Sequence, residues 1–522
     1  MLSVRTSAVS AIRGAATWVL RQTASTPAFD AAGMGRRTTG WTPSAASINA
    51  ILFGSAETLR ARSRDMVRKN PWAANAIGKF TANAVGTGIK PRSTHPDEDA
   101  RKAINEAWLR WTDESDAAGV TDFYGQQALA VRAGREGGDC FARLRFRRPE
   151  DGLLVPLQIQ LIEAEQVPTH MNHLLANGNV VRQGIEFDGS GRRVAYHMHR
   201  EHPGEMTLMA RGNEIVRVPA AEVLHHYEPL RPGQIRGQPI LAQALLRLYE
   251  FDQYEGNEVA RKRDASTFSG FVFETGEGAS PLVGTPGTDA DDGAPTEVIK
   301  LETSTFQKLR PGEDIKFAEA PGMGEGYSDF MQWVLRAIAA AAGITYEQLT
   351  GDLTKVNFSS IRAGLLEFRR SVEMFQHCVF IFQFCRPVWR AWMPAAVLAG
   401  VLPVSATAFR RDREAWLGVK WDPPGWQWVD PAKEIKAVVD AIRAGLMSRS
   451  EAVSQYGFDA EEIDAEIAAD NARADRMGLS YDSDGRRPQR GGAPMGHNGG
   501  PPLDDEEPEN ETDDENEERE RA

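Results

Sequence analysis

From Ile361 to Phe382 apolar side chains recur at Ile361, Leu365, Phe368, Val372, Phe375, Val379 and Phe382, stepping alternately by four and three residues. A stripe of that period requires an unbroken helix, and one so narrow requires a long neighbour or a second copy to cover it. Ser360 to Arg386 would extend about 40 Å at about 1.5 Å per residue. Pro387 cannot continue the hydrogen-bond ladder and is expected to end the rod. Arg369 and Arg370 lie off the seam.

A second amphipathic helix precedes it. Tyr327, Phe330, Met331, Val334, Leu335, Ile338 and Ala342 share one face, and Gly343 stops it. Between the two lies the polar run Gly351 to Ser360 with a single lysine, Lys355, whose serines are expected to cap the rod. Further upstream another helix begins near Ile240, with Leu241, Ala244, Leu245, Leu248 and Phe251 apolar and a charged far end that includes Arg261, Lys262 and Arg263. Residues 274–296 are rich in Gly, Pro and Asp and read as an exposed loop, flanked by strand-like Phe268–Phe273 and Val298–Leu301.

The N-terminal half changes period. Asn70-Pro71 opens a helix with Trp72, Ala76, Ile77, Phe80 and Ala84, and another carries Ile104, Ala107, Trp108 and Trp111. From Cys140 to Pro229 the period falls to two: Cys140, Ala142, Leu144 and Phe146 alternate with Arg143, Arg145 and Arg147. Leu153 to Leu161 continues the alternation, and Asp188-Gly189-Ser190-Gly191 separates a strand Val180–Phe187 from a strand Arg192–Arg200. Near the C-terminus Trp416, Trp421, Trp426 and Trp428 bracket Pro423-Pro424-Gly425. Three short helices follow, opened by Asp430-Pro431, Ser448 and Asp459. The fold class is α+β.

Charge narrows the function. The 522-residue chain has a net charge of −13, and the twelve acidic residues from Asp504 to Glu520, against two arginines, carry −10 of it. A body near −3 excludes a globally basic nucleic-acid clamp, and the tail is expected to stay disordered. Three cysteines, Cys140, Cys378 and Cys385, cannot staple a chain of this length, and no apolar run is long enough to span a membrane. The first twenty residues have the faint cast of a targeting peptide without a clear cleavage site, and 1–65 reads as a mobile or processed arm.

Catalytic signals are absent. His197, His199 and His202 are the one histidine cluster worth testing as a metal site. On a strand, however, His197 and His199 fall on the face opposite Val194, Tyr196 and Met198, which reads as solvated, and no zinc spacing completes the set. His225 and His226 point to opposite sides of a strand. Cys140 falls in the apolar phase and reads as a packed side chain, as do Cys378 and Cys385. Neither a phosphate-binding Gly-Lys-Ser/Thr loop nor a nucleophile elbow occurs, and no cofactor is indicated. The stripe Arg143, Arg145, Arg147, extended by Arg148, is suited to phosphate or to carboxylates of a neighbouring chain, or is simply a solvated strand face.

Four stretches occur in an order that resembles the lambda-like family of tailed-bacteriophage portal proteins. They are Asn70-Pro71-Trp72 with Val85 to Ile89; Arg236-Gly237-Gln238-Pro239-Ile240; Gly351-Asp352 with Lys355 to Ser360; and Trp426 to Pro431 with the helices behind it. Together they span roughly 60–480.

The resemblance implies a non-enzymatic ring subunit, usually one of twelve, at one capsid vertex. Its parts would be an arm 1–65, a mixed α/β wing 66–239, stem helices 240–264 and 326–343, and an inserted α/β clip 265–325. A tunnel loop 344–358, a long wing helix with its Trp-rich connection 359–429, a helical crown 430–480 and a disordered acidic tail 481–522 would complete it. It also implies weak, sequence-independent contact with double-stranded DNA through Lys355, Asn357 and Phe358. The arginines of the stripe and Arg261, Lys262 and Arg263 are candidate phosphate or inter-subunit contacts. The implied partners are further copies of the chain, the terminase large subunit, capsid and scaffold or protease proteins, and head-completion and tail connectors. No membrane is implied; the location would be the virion and, during assembly, the host cytoplasm. The alternatives are another structural phage head protein, such as a capsid or scaffolding subunit, and a metal-dependent enzyme built on His197, His199 and His202.

Overall fold

A computed structural model of the chain describes residues 36–205, 214–267, 271–274, 313–316, 326–354, 358–426 and 431–479, with 481 and 486. Its first long helix lies partly within the segment expected to be an arm. α1 (Ile48–Lys69) is capped by the Ser47 hydroxyl and buries Leu52, Ala56, Met66 and Val67. Its pattern is faint in sequence because Arg60 and Ser63 also face inward. Asn70 ends α1 and starts α2 (Pro71–Val85), its Oδ1 accepting from the amides of Trp72 and Ala73 at 3.0 and 3.1 Å. Pro71 occupies the first turn, where a missing amide has no partner to lose.

β1 (Lys90–Ser93), α3 (Glu98–Thr112) and α4 (Phe123–Gly137) lead into the β-rich region. There β2 (Asp139–Phe146), β3 (Leu157–Glu163), β4 (His173–Leu174), β5 (Val180–Arg182), β6 (Ile185–Phe187), β7 (Arg193–His199), β8 (Ile215–Pro219) and β9 (Val223–Tyr227) form two antiparallel sheets. Their orders are β3-β2-β9 and β4-β5-β6-β7-β8. The stretch Val180–Phe187, which alternation reads as one strand, is two strands folded on each other: Arg182 pairs with Ile185. Gln183 and Gly184 make the turn at φ 50° and 78°, the two consecutive positive values that a tight hairpin needs. Gln183 tolerates its value because its amide donates to Asn172 Oδ1 and its side chain to the Asn49 carbonyl.

A 3-10 turn at Ile240–Gln243 precedes α5 (Leu245–Thr267), so the helix starts later than the sequence suggests. β10 (Phe271–Glu274) pairs antiparallel with β11 (Glu313–Lys316), and Val298–Leu301 lies outside the described residues. α6 (Tyr327–Ala342) stops at Gly343 as expected, and α7 (Tyr346–Thr350) and α8 (Phe358–Met374) follow.

The long rod departs from expectation. After α8 the helix widens into a π-helical segment, Phe375–Cys385, then resumes as α9 (Arg386–Leu398). The wider hydrogen-bond spacing shifts the inward face, so the buried positions run Phe375, Phe380, Phe384 and Val388. Phe382, on the expected seam, is 61% exposed, and Val379 is only half-buried. Pro387 does not end the rod, because it falls in the first turn of α9, where the two hydrogen-bond registers meet.

α10 (Ala406–Arg411), α11 (Arg413–Leu417) and β12 (Val419–Asp422) return the chain to β1, with which β12 pairs antiparallel. α12 (Pro431–Arg443) and α13 (Arg449–Ser454, capped by Ser448) complete this first compact unit. Residues 459–522 form a second unit, whose described helix α14 (Ala460–Met477) is capped by Asp459 and ends at Gly478.

Within the first unit the core centres on aromatic rings: Trp108 lies 5.1 Å from both Trp389 and Trp392 and 5.2 Å from Phe123. Rings at such separations add about 0.5–1.5 kcal/mol per pair beyond their buried area. Next to this core sits a fully buried charge. The Asp139 carboxylate accepts from Arg236 Nε and the Gly237 amide, both at 2.6 Å, and from His225 Nε2–H at 3.0 Å. Arg60 Nη2 stands 3.7 Å away. The remaining Arg236 nitrogens donate to the carbonyls of Val167, Gln183 and Ala164 at 3.0, 3.1 and 3.2 Å. One guanidinium therefore joins the start of β2, the turn after β3 and the β5–β6 hairpin.

Two glycines let the chains pass: Gly138 adopts φ 93°, and a Cβ on Gly237 would stand 2.0 Å from the Gly138 oxygen. Burial alone would raise the Asp139 pKa, yet the Arg236 charge, the His225 hydrogen bond and Arg60 hold it well below the usual range. Burial pushes both His225 and His226 down to about 4.

Gly237→Ala forces backbone apart and is expected to destabilise the protein by about 2–3 kcal/mol, read as a shift in the urea unfolding midpoint. The histidines give a second expectation. Their folded pKa values lie below the unfolded value, so from about pH 6.5 down to about pH 4 the unfolded chain binds protons that the folded chain refuses. Stability is therefore full above that window and falls as the pH drops through it, and His226→Gln should flatten the fall.

Candidate functional site

The loop between α7 and α8 is mounted on an unusually well-determined base. Gly343, at φ 71°, ends α6, and the Ile344 amide donates back to the Ala339 carbonyl at 3.1 Å. Thr345 and Gln348 then form a reciprocal capping box that starts α7. From α2, Asn75 Nδ2 donates to the carbonyls of Gln348 and Leu349 at 3.2 and 2.6 Å, and the Leu349 side chain is buried beneath. Gly351, at φ 72°, closes α7. The Thr350 hydroxyl accepts from the Asp352 amide, and Asp352 Oδ1 accepts from the Thr354 amide and hydroxyl at 3.0 and 2.6 Å. This base lifts Leu353, 58% exposed, away from the core. Lys355 and Asn357 lie outside the described residues. Phe358 opens α8, and its side chain too lies outside them.

The stripe on β2 is met by a strand of glutamines. Arg145 Nε donates to Gln160 Oε1 and Arg147 Nε to Gln158 Oε1, each at 2.8 Å, while Arg143 alone has a counter-ion, Glu222 at 3.2 Å. Neutral partners orient the guanidinium groups without cancelling their charge. Burial and the flanking Arg143 and Arg147 accordingly push the Arg145 pKa down. On α5, Glu258 is 2.8 Å from Arg261 and 3.9 Å from Lys262, and Lys262 Nζ lies 5.7 Å above the Tyr327 ring. Arg263 is exposed and also has a partner. The structure does not bring these clusters together into one pocket.

The histidine cluster is not a ligand set. His197, expected on a solvated face, is buried with Nε2 3.4 Å from Glu186 Oε2, because the Glu186–Arg217 pair and the His173 ring from other strands of its own sheet pack against it. Glu186 is itself saturated by Arg217 at 2.7 and 3.1 Å and Asn179 at 2.6 Å, and the Arg217 hydrogen bond helps hold its pKa at about 2. Burial pushes the His197 pKa down. Among the described residues the group with metal-like spacing is Glu163, Glu165 and His202. There Arg64 Nη1 sits 3.0 and 2.9 Å from the two carboxylates, where a cation would have to go. Cys140 is buried, and its thiol is pushed up to about 12 by that burial and by Asp139, the reverse of an activated nucleophile.

Residues 34–376, well over half the chain, match the phage portal proteins of the lambda family. The chain belongs to that family. Among curated proteins it is similar to the probable portal protein of Halomonas phage phiHAP-1, with 28% identity over 465 residues covering 87% of this chain and 88% of the relative. It is likewise similar to portal protein B of Escherichia phage lambda, 24% identical and covering 86% of this chain and 89% of that one. Among solved structures, a chain from the neck of an empty gene transfer agent particle aligns at 13% identity with a TM-score of 0.42, covering 76% of this chain and 93% of the other. Its family and these curated relatives mark it as a phage portal protein.

Asn75 and Arg236 carry no role readable from sequence. Arg236 stands within a stretch that marks the family, but its partner Asp139 lies 97 positions upstream, and Asn75 reaches across more than 270. Asn75→Ala leaves two carbonyls without their donor and is expected to cost about 1–3 kcal/mol. Faster amide hydrogen exchange confined to α7 and the residues after it is the reading that distinguishes this from global loss.

Proposed function

We propose that this chain is the ring subunit of a tailed-phage portal, closing as a homododecamer around the path of double-stranded DNA during packaging and ejection. The observation that carries this is the portal-family match over residues 34–376, and the fastening of α7 to α2 by Asn75 supports a loop built out from that base. Lys355 is the phosphate contact and Asn357 a polar one, with Phe358 beside them in the DNA channel.

The parts follow the family plan. α5 and α6 are the stem, and their pairing is supported by Tyr254 lying 6.2 Å from Tyr327 and 5.1 Å from Phe330, and by Arg247 over Trp333 at 5.3 Å. The insertion 265–325 is the clip, which receives the terminase large subunit and later the head-completion and tail connector proteins. Residues 66–239, with the long rod in 359–429, form the wing, which meets capsid and scaffold or protease proteins, and 430–480 is the crown. The chain catalyses no reaction, and assembly takes place in the host cytoplasm.

A body of low net charge suits a conduit. Dense Lys/Arg contact would hold phosphate against sliding, whereas one lysine per subunit on a loop touches the duplex without retaining it. Negative-stain images of purified protein should show rings with a central hole; shells or rods would indicate another head protein. Lys355→Ala rings should assemble normally and package less DNA. Their DNA binding should lose about 0.9 of log–log salt slope for each phosphate contact removed. An unaltered slope together with unaltered packaging would take the loop out of the DNA path.

A further inference from the structure

A groove of about 600 Å³ runs between β2, the turn joining β8 to β9, and the junction of the π-helical segment with α9. Its floor is apolar, from Leu144, Val223, Leu224 and Tyr196. Phe146 and Phe382 stand in it 60% and 61% exposed. Single exposed apolar side chains are ordinary on a protein surface, whereas two phenylalanines sharing one concavity mark a surface meant to be covered. Phe382 is there because of the π-helical widening; continuous α-helix would turn it toward the seam. Such widenings occur disproportionately at functional positions.

The rim is positive. Arg386 and Arg390 are exposed, one turn apart on the same helix face, and neither makes a hydrogen bond or ion pair among the described residues. Two like charges at that spacing repel each other, a small local cost. Arg193 lines the same groove, with Nη2 2.8 Å from the Tyr227 hydroxyl, and no aspartate or glutamate is among the lining residues.

We infer that this groove docks an acidic protein segment carrying an apolar anchor. Charge complementarity selects the flanks, since carboxylates would meet the two unpaired guanidinium groups in the paired geometry that arginine favours. The two phenylalanines select the centre, since an aliphatic or aromatic side chain is needed to cover them. Duplex DNA would satisfy the arginines and leave the phenylalanines exposed.

The test measures fluorescence anisotropy of full-length protein with a labelled short peptide of Asp and Glu flanking a central Leu-Phe. A second peptide replaces Leu-Phe with Ser-Ser, and duplex DNA is added as competitor. Saturable binding is expected. It should weaken by about tenfold or more for the Ser-Ser peptide, for Arg386→Glu/Arg390→Glu and for Phe382→Ser. Both variants change exposed side chains, and matching urea midpoints establish that they fold. Absence of binding, equal binding of the Ser-Ser peptide, binding unchanged in both variants, or displacement by DNA would each overturn the inference. So would loss of ring closure in Arg386→Glu/Arg390→Glu, because the groove would then be a contact between copies.

Discussion

The pairing of Asp139 with Arg236 is the interaction on which the arrangement of the sheets rests. A carboxylate in a fully buried position is tolerated only with a cation and several donors around it, and here every requirement is met by groups distant in sequence. Arg60 comes from α1, His225 from β9, and Arg236 with Gly237 from the strand-to-helix connection. Removing either partner would leave an uncompensated charge in the interior, so α1, β2, β9 and the entry to α5 are fixed as a set. The close passage of Gly138 and Gly237 is the geometric counterpart of that electrostatic demand.

From that anchored centre the molecule extends functional surface in two ways. α6 and α7 build the base from which a short polar loop leaves, and Asn75 fastens that base to α2. The β2–β3 pair holds Arg145 and Arg147 over Gln160 and Gln158, which orients their charge without neutralising it. Arg145 and Arg147 are thus oriented by hydrogen bonds to uncharged groups.

Much of the helical architecture was legible because it rests on local chemistry. Ser448, Asn70 and Gly343 announce their caps, and the apolar phase of Cys140, Ala142 and Leu144 is the phase that is buried. What was not legible depends on distant partners or on a change of helical period. α1 hides because Arg60 is an inward-facing residue whose counter-ion lies in β2. Val180–Phe187 reads as one strand because Gln183, not a glycine, starts its turn, held there by Asn172 and Asn49. Period arithmetic carries the seam through Phe382 to Pro387 because it assumes one hydrogen-bond register, and the π-helical segment supplies another. Alternation puts His197 in solvent because nothing local reveals that Glu186 and Arg217 close over it. At the loop, the clamp from Asn75 has no counterpart in nearby sequence.

That clamp couples parts of the chain that translation separates widely. Because the carbonyls it grips belong to Gln348 and Leu349, the position of α7 is referenced to α2 and, through Asn70, to α1. A tilt of the N-terminal helices by a neighbouring molecule would therefore carry α7 with it.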